Sequence, residues 1–221
     1  MPNSKANKAG AAVKRRAASK AATPGPKRRV AEMVDAAAAV FAEKSYHGAT
    51  TQDIADRLGI RQASLYYYFA SKDEALEQVC MLGVEGFLET AAAIAKENVS
   101  AGERVRAIIR SHLLPMQERK NYVTVFLNER QHLPTAVRRR INRLAGAYEK
   151  VIENILREGV ATGQLAAGTD VRMATLAILG MCNWAPRWFG AEPEASIDRV
   201  TEAFAALALQ GLAPGRTPRP R

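Results

Sequence analysis

From Lys27 to about Leu212 the apolar residues recur three and four apart, and no stretch alternates apolar with polar as a half-buried strand would. That periodicity points to an all-α fold. Its clearest case follows Pro134: Val137, Ile141, Leu144, Tyr148, Val151 and Ile155 alternate four and three apart, the spacing of helix-on-helix packing, out to about Gly163. Val30, Met33, Val34, Ala37, Ala38 and Phe41 share one face of a first helix, which Ser45-Tyr-His-Gly48 ends. Thr50 or Thr51 caps a short helix, Gln52–Leu58, that stops at Gly59, and Arg61–Phe69 forms the next. Ser71-Lys-Asp-Glu74 has the form of a capping box and predicts one long helix to about Asn98. Ser100-Ala-Gly-Glu103 repeats the box and opens a helix that Pro115 breaks. Helices over Tyr122–His132, Asp170–Trp184 and the stretch marked by Ile197, Val200, Ala203, Phe204 and Leu207 bring the total to about nine.

A chain of 221 residues is ample for a buried core. Its two cysteines, Cys80 and Cys182, and its three scattered histidines cannot make a Cys/His zinc site, and they read as reduced, buried thiols. The longest apolar stretch, around Met173–Ala185, is interrupted by Thr175 and Asn183. It falls short of the ~20 residues a membrane helix needs. The N-terminus carries charge with no apolar run behind it, so it is not a secretory signal. These features together predict a cytoplasmic protein with no membrane partner. No Ser/His/Asp order, glycine-rich phosphate loop or metal-ligand spacing supports an enzyme, and no cofactor is implied.

The net charge of +10 suggests an anionic partner, but it is unevenly placed. Residues 1–29 carry +9 and residues 213–221 carry +3, while residues 30–212 sum to −2. Residues 1–26 and 213–221 read as disordered basic tails, lacking the apolar bulk to offset the entropy of folding. The N-terminal one is a solubilising leader or an arm that strengthens DNA binding without reading sequence; a transit peptide would want a cleaner amphipathic pattern.

Thr50–Lys72 is the informative segment. Two short helices flank Gly59, with Ile54, Ala55, Leu58, Ile60 and Leu65 placed to pack inward. This is the spacing of a helix-turn-helix, whose second helix enters the major groove of DNA. The outward residues suit that role. Thr51 can offer a hydroxyl to a phosphate, Gln62 can pair with an adenine edge, and Arg61 can reach guanine or backbone. Ala63 and Ser64 are small enough to let the helix lie close to the bases. Tyr66 and Tyr67 offer hydroxyls to phosphates and rings to thymine methyls, and Lys72 adds a charge near the backbone. Phe69 and one tyrosine of the Tyr66-Tyr-Tyr-Phe69 run suit the core, but three successive tyrosines on a helix cannot all face inward.

Gly48-Ala-Thr-Thr51, Ile54-Ala55, Leu58-Gly-Ile60, Leu65-Tyr66-Tyr-Tyr-Phe69 and Ser71-Lys72-x-x-Ala75-Leu76, with Ala37 and Phe41 before them, closely resemble the DNA-binding domain of the TetR family of transcriptional regulators. The resemblance covers about residues 27–77. It implies a homodimer on a palindromic double-stranded operator, an N-terminal three-helix DNA-binding domain over 27–73, and a C-terminal helical domain over 74–212 that dimerises and binds a small effector. It places the DNA-facing positions at Thr51, Gln52, Arg61, Gln62, Ala63, Ser64, Tyr66, Tyr67 and Lys72. The 26 residues before Lys27 make a longer leader than most members have. More loosely, Phe126-Leu-Asn-Glu129, His132-Leu-Pro134, Ala177–Trp184 and Arg187-Trp188-Phe189 resemble the branch that controls ketosteroid and acyl-CoA catabolism, which implies a CoA thioester as inducer.

For the effector site the residues say less. Met116, Phe126 and Met181, with Met81, Phe87 and Leu113, are candidate lining or plain core. Trp184, Arg187 and Trp188 place two indoles beside a guanidinium, which suits an anionic or planar group or else a surface stack. Arg106 with Arg110, and Arg138-Arg-Arg140 with Arg143, are anion candidates or solvated helix faces. The small residues Ala174, Ala177, Gly180, Ala203 and Ala206 suit a four-helix seam between two copies of the chain. Two competing readings are a regulator answering a hydrophobic ligand without CoA, and an architectural DNA-binding protein that relies on its basic arm.

Overall fold

The computed structural model describes residues 26–213. The expectations for the basic tails therefore lie largely outside the described residues. The described chain holds eleven α-helices, nine of them eight residues or longer, and no strand. In order they are α1 Pro26–Gly48, α2 Thr51–Leu58, α3 Gln62–Leu65, α4 Lys72–Val84, α5 Phe87–Ile94, α6 Ala101–Leu113, α7 Pro115–Glu118, α8 Lys120–Glu129, α9 Thr135–Ala161, α10 Val171–Trp184 and α11 Ile197–Leu212. Among the described residues no helix is long and apolar enough to cross a membrane.

Caps explain many of the boundaries. Ser100 and Glu103 form the reciprocal box that opens α6, the Ser100 hydroxyl accepting from the Glu103 N–H at 3.2 Å. Asp170 and Ser196 cap α10 and α11 through their side chains. Ser71 accepts from the Glu74 N–H, but the Glu74 carboxylate turns to the Ala70 N–H instead of completing the box.

The helix opened by Ser71 is shorter than its pattern predicts. It stops at Val84, and Gly86, at φ +86°, turns the chain into α5. A left-handed backbone costs glycine nothing, so this residue allows the break. The ring of Phe87 then lies 5.2 Å from that of His112 and 5.9 Å from that of Tyr148. The second short helix also ends sooner than expected, at Leu65, and Tyr66–Tyr68 continue it as a turn.

Two apolar clusters hold these helices together. One gathers α1, Ile54, Leu65 and Phe69 with Ala75, Leu76, Val79 and Cys80 of α4, and takes in Tyr122, Val125, Leu133 and Ile141 from farther along the chain. The other joins α5, α6 and the second half of α9 to α10 and α11. The regular stripe of α9 feeds both, Ile141 entering the first and Tyr148, Ile152, Ile155 and Leu156 the second. Buried Arg104 ties α6 to α9 by paired bonds to Glu158, at 2.7 and 3.0 Å, and donates to the Ala95 carbonyl.

Candidate DNA-reading face and effector cavity

Thr50 caps α2. Its hydroxyl accepts from the Asp53 N–H, and the Asp53 carboxylate accepts the Thr50 N–H at 2.8 Å. Lys44 reaches the same carboxylate at 2.6 Å, and the lysine with the threonine bonds holds the Asp53 pKa down to about 2. At the other end Gly59 adopts the left-handed conformation, φ 65° and ψ 30°, with Gly59 N–H bonded to Asp56 O and Ile60 N–H to Ala55 O. This paired closure ends the helix and sets the turn into α3. Ile54, Ala55, Leu65 and Phe69 are buried beneath, so both short helices are fixed on one scaffold.

The opposite face is open. Gln52, Arg61, Ala63 and Tyr66 are exposed, and Tyr67 is 91% exposed. Ser64, Thr51 and Gln62 are half-buried, and the Gln62 amide donates to the Thr51 hydroxyl at 2.7 Å, joining the starts of the two helices. Thr51 thus holds Gln62, and the cap belongs to Thr50. Lys72 departs from its expected place. Its ammonium donates to the carbonyls of Tyr46 and Ala49, at 2.9 and 3.1 Å, and sits 4.3 Å from the Tyr46 ring centre. Its charge closes the end of α1, where unpaired carbonyls attract a cation.

Behind this head lies a cavity of about 1090 Å³. Its walls come from α1 and α4, and from α5, α6, α7, α8, α9 and α10. Val34, Met81, Phe87, Met116, Phe126, Leu144 and Leu179 make it largely apolar. His112, Tyr148 and Asn183 supply polar atoms, and the charged lining is Arg130 and Arg140 with Glu74, Glu77, Glu85, Glu89 and Glu149. The Arg130 guanidinium lies 5.0 Å from the Phe126 ring centre.

Of the effector candidates, Met81, Phe87, Met116, Phe126 and Arg140 line this space, while Leu113, Met181, Trp184, Arg187, Trp188, Arg106, Arg110, Arg138, Arg139 and Arg143 do not. Arg110 is exposed and paired with Asp198 at 3.1 Å. Met181 is half-buried on α10, outside the cavity. Arg187 stacks on Trp184 at 4.8 Å with both side chains exposed, and Trp188 packs edge-on against Phe204. The Trp/Arg group is therefore a surface stack. Sequence reasoning missed His112, Tyr148, Asn183 and Arg130. The first three sit on α6, α9 and α10, so no local spacing joins them. Arg140 stood among the arginine runs, four residues before Leu144 and thus beside the packing stripe.

A second surface is apolar and exposed. Met173, Leu176, Ala177, Gly180 and Trp184 recur along one side of α10, and exposed Leu207 lies on α11.

A helix-turn-helix head with an open reading face, sharing the walls of a ligand-sized cavity with a helical body, defines a ligand-responsive DNA-binding regulator. The comparisons with known proteins place it more closely. Residues 33–79 match the family model of bacterial regulatory proteins of the tetR family, and residues 98–212 match that of the tetracyclin repressor-like C-terminal domain. The chain belongs to the TetR family of transcriptional regulators, and it is not an enzyme. It is 28% identical to the transcriptional repressor KstR2 of Rhodococcus jostii, over 86% of this chain and 94% of that one. The TetR family regulator PfmR of Thermus thermophilus superposes with a TM-score of 0.75 at 29% identity, over 80% of this chain and 97% of that one. FadR of Bacillus subtilis, solved in complex with stearoyl-CoA, gives 0.68 at 25% identity, over 82% and 98%.

Proposed function

We propose that the protein is a cytoplasmic repressor that binds a palindromic operator as a homodimer and leaves it when an acyl-CoA thioester enters the cavity. The carrying observation is the cavity itself: large, mostly apolar, and walled by the DNA-reading head as well as by the body. At about 1090 Å³ it lies just above the ~300–1,000 Å³ typical of ligand pockets. Its charged lining is five carboxylates to two guanidinium groups, which disfavours a free carboxylate and favours an uncharged chain. A thioester supplies such a chain and leaves its phosphates outside. Arg140 lines the cavity, exposed Arg139 and Arg143 lie nearby on α9, and none of the three forms an ion pair among the described residues. Guanidinium groups suit phosphate.

The reading face of each subunit would enter a major groove through Gln52, Arg61, Gln62, Ala63, Ser64, Tyr66 and Tyr67, with Thr51 orienting Gln62. The apolar side of α10, with α11, is the seam that spaces the two heads. Ligand in the cavity favours a state in which that spacing no longer fits, so DNA affinity falls. The FadR complex with stearoyl-CoA supports the choice of ligand class.

The test is operator binding followed by fluorescence anisotropy, on a site selected from random duplexes, with acyl-CoA esters, matched free acids and CoA alone added in turn. Esters should weaken binding at least about tenfold, a coupling of about 1.4 kcal/mol, and the free acids and CoA should not. Release by an uncharged hydrophobic compound and by no ester would overturn the CoA reading and favour a non-CoA hydrophobic effector.

A further inference from the structure

We infer that His112, Tyr148 and Asn183 form a polar recognition element that selects effectors with an oxygen on the inserted chain over saturated ones. The inference rests on the cavity being the effector site and not on the CoA portion of the ligand.

The three side chains meet from different helices. His112 Nδ1 lies 3.1 Å from the Tyr148 hydroxyl and Nε2 lies 3.2 Å from Asn183 Oδ1. All three line the cavity, beside Phe87, Leu179 and Cys182. Burial holds the His112 pKa down, to about 4, so the ring is neutral at physiological pH and carries one N–H. Asn183 Oδ1 can only accept, which places that hydrogen on Nε2. Nδ1 then accepts the Tyr148 O–H.

The relay therefore leaves two capacities unused. The Tyr148 oxygen can still accept, and the Asn183 amide can still donate, and neither has another side-chain partner among the described residues. A hydroxyl on the ligand can donate to Tyr148, and a carbonyl can accept from Asn183. Rotating the Asn183 amide reverses the relay: Nδ1–H then donates to Tyr148, and the tyrosine O–H turns to a ligand ketone. A methylene satisfies neither state. It strips water from polar groups and returns nothing, which is how a hydrogen-bonding site rejects an analogue that lacks the bond.

The experiment measures affinity of the full chain by calorimetry for β-hydroxy, β-keto and saturated acyl chains of equal length, as CoA thioesters and as ethyl esters. Oxygenated chains should bind at least about tenfold tighter than saturated ones. Tyr148→Phe should cut the advantage of the hydroxy chain several-fold, and Asn183→Ala, at an exposed position, that of the keto chain, each with the fold intact by circular dichroism. Equal affinities in the unaltered protein, a ratio that survives both substitutions, or no binding in either series overturns the inference. Discrimination among ethyl esters with no binding of thioesters keeps it and removes the CoA reading. Thioesters bound without discrimination do the reverse.

Discussion

Tyr67 is the most exposed aromatic on the reading face, and nothing in the fold depends on it. Tyr67→Ala should lower operator affinity about tenfold or more by anisotropy and leave the melting temperature within a degree or so, since truncation there removes contact and not core. His112 gives a second expectation at this scale. Its native pKa of about 4 lies below the ordinary 6.5, so between those values the unfolded chain holds a proton that the folded chain does not. Stability should therefore fall as pH drops through that window. Thermal melts of the protein and of His112→Gln should diverge there, the variant losing less; parallel curves would show that the ring titrates normally. The sequence made Tyr67 legible, because three adjacent tyrosines cannot all turn inward. It could not show His112, whose partners come from helices far along the chain.

Among the elements, the end of α1 carries the strongest local constraint. Ser45 sits at φ 59° and ψ 169°, a region that residues other than glycine rarely occupy. Several bonds hold the corner. The Tyr46 N–H donates to buried Glu129 at 3.0 Å, the Tyr46 hydroxyl bonds Asp73, and Lys72 takes the Tyr46 carbonyl. The His132 ring stacks on that of Tyr46 at 5.2 Å. Glu129 closes α8, while Phe126 and Arg130 on either side of it line the cavity. The corner thus links the cavity wall to the residues just before α2. Glu129→Ala should cost on the order of 1–2 kcal/mol in denaturant unfolding, by leaving a part-buried N–H unpaired, and should shrink the effect of effector on DNA binding. Ser45→Gly should stabilise by about 1 kcal/mol, because glycine relieves the strain.

The same corner shows where the pattern stops informing. Gly48 correctly marked the end of the helix, but the kink at Ser45 depends on Glu129, which lies 83 residues from Tyr46 in the chain. Gly86 is a similar case: an apolar run continues through it, and Phe87 packing on His112 and Tyr148 goes with the break. The stripe of α9 was readable because one long helix carries it. The cavity was not, because it is a gap between helices whose residues alone look like ordinary core.

For the whole molecule, the outward side of α10 is the feature with the widest effect. Leu176→Glu places a charge amid Met173, Ala177 and Gly180. Sedimentation should then show monomers, and operator affinity should fall by roughly a hundredfold or more, since two tethered heads bind far more tightly than one. A variant that stays dimeric would move the seam elsewhere. The body, at −2 over residues 30–212, gives the reading face little general attraction for DNA. Spacing and contact have to provide what charge does not.

Tyr122, Val125, Leu133 and Ile141 belong to the same apolar cluster as the helices of the reading head. The two functional parts are therefore not exchangeable cassettes. A chimera that grafts another regulator's head at residue 73 would meet these four and Ala75, Leu76, Val79 and Cys80 of α4 as foreign side chains where its own counterparts belong. An engineer building a biosensor from this chain would have to transplant those eight positions with the head, or accept a hybrid whose sensor and reader no longer fit together.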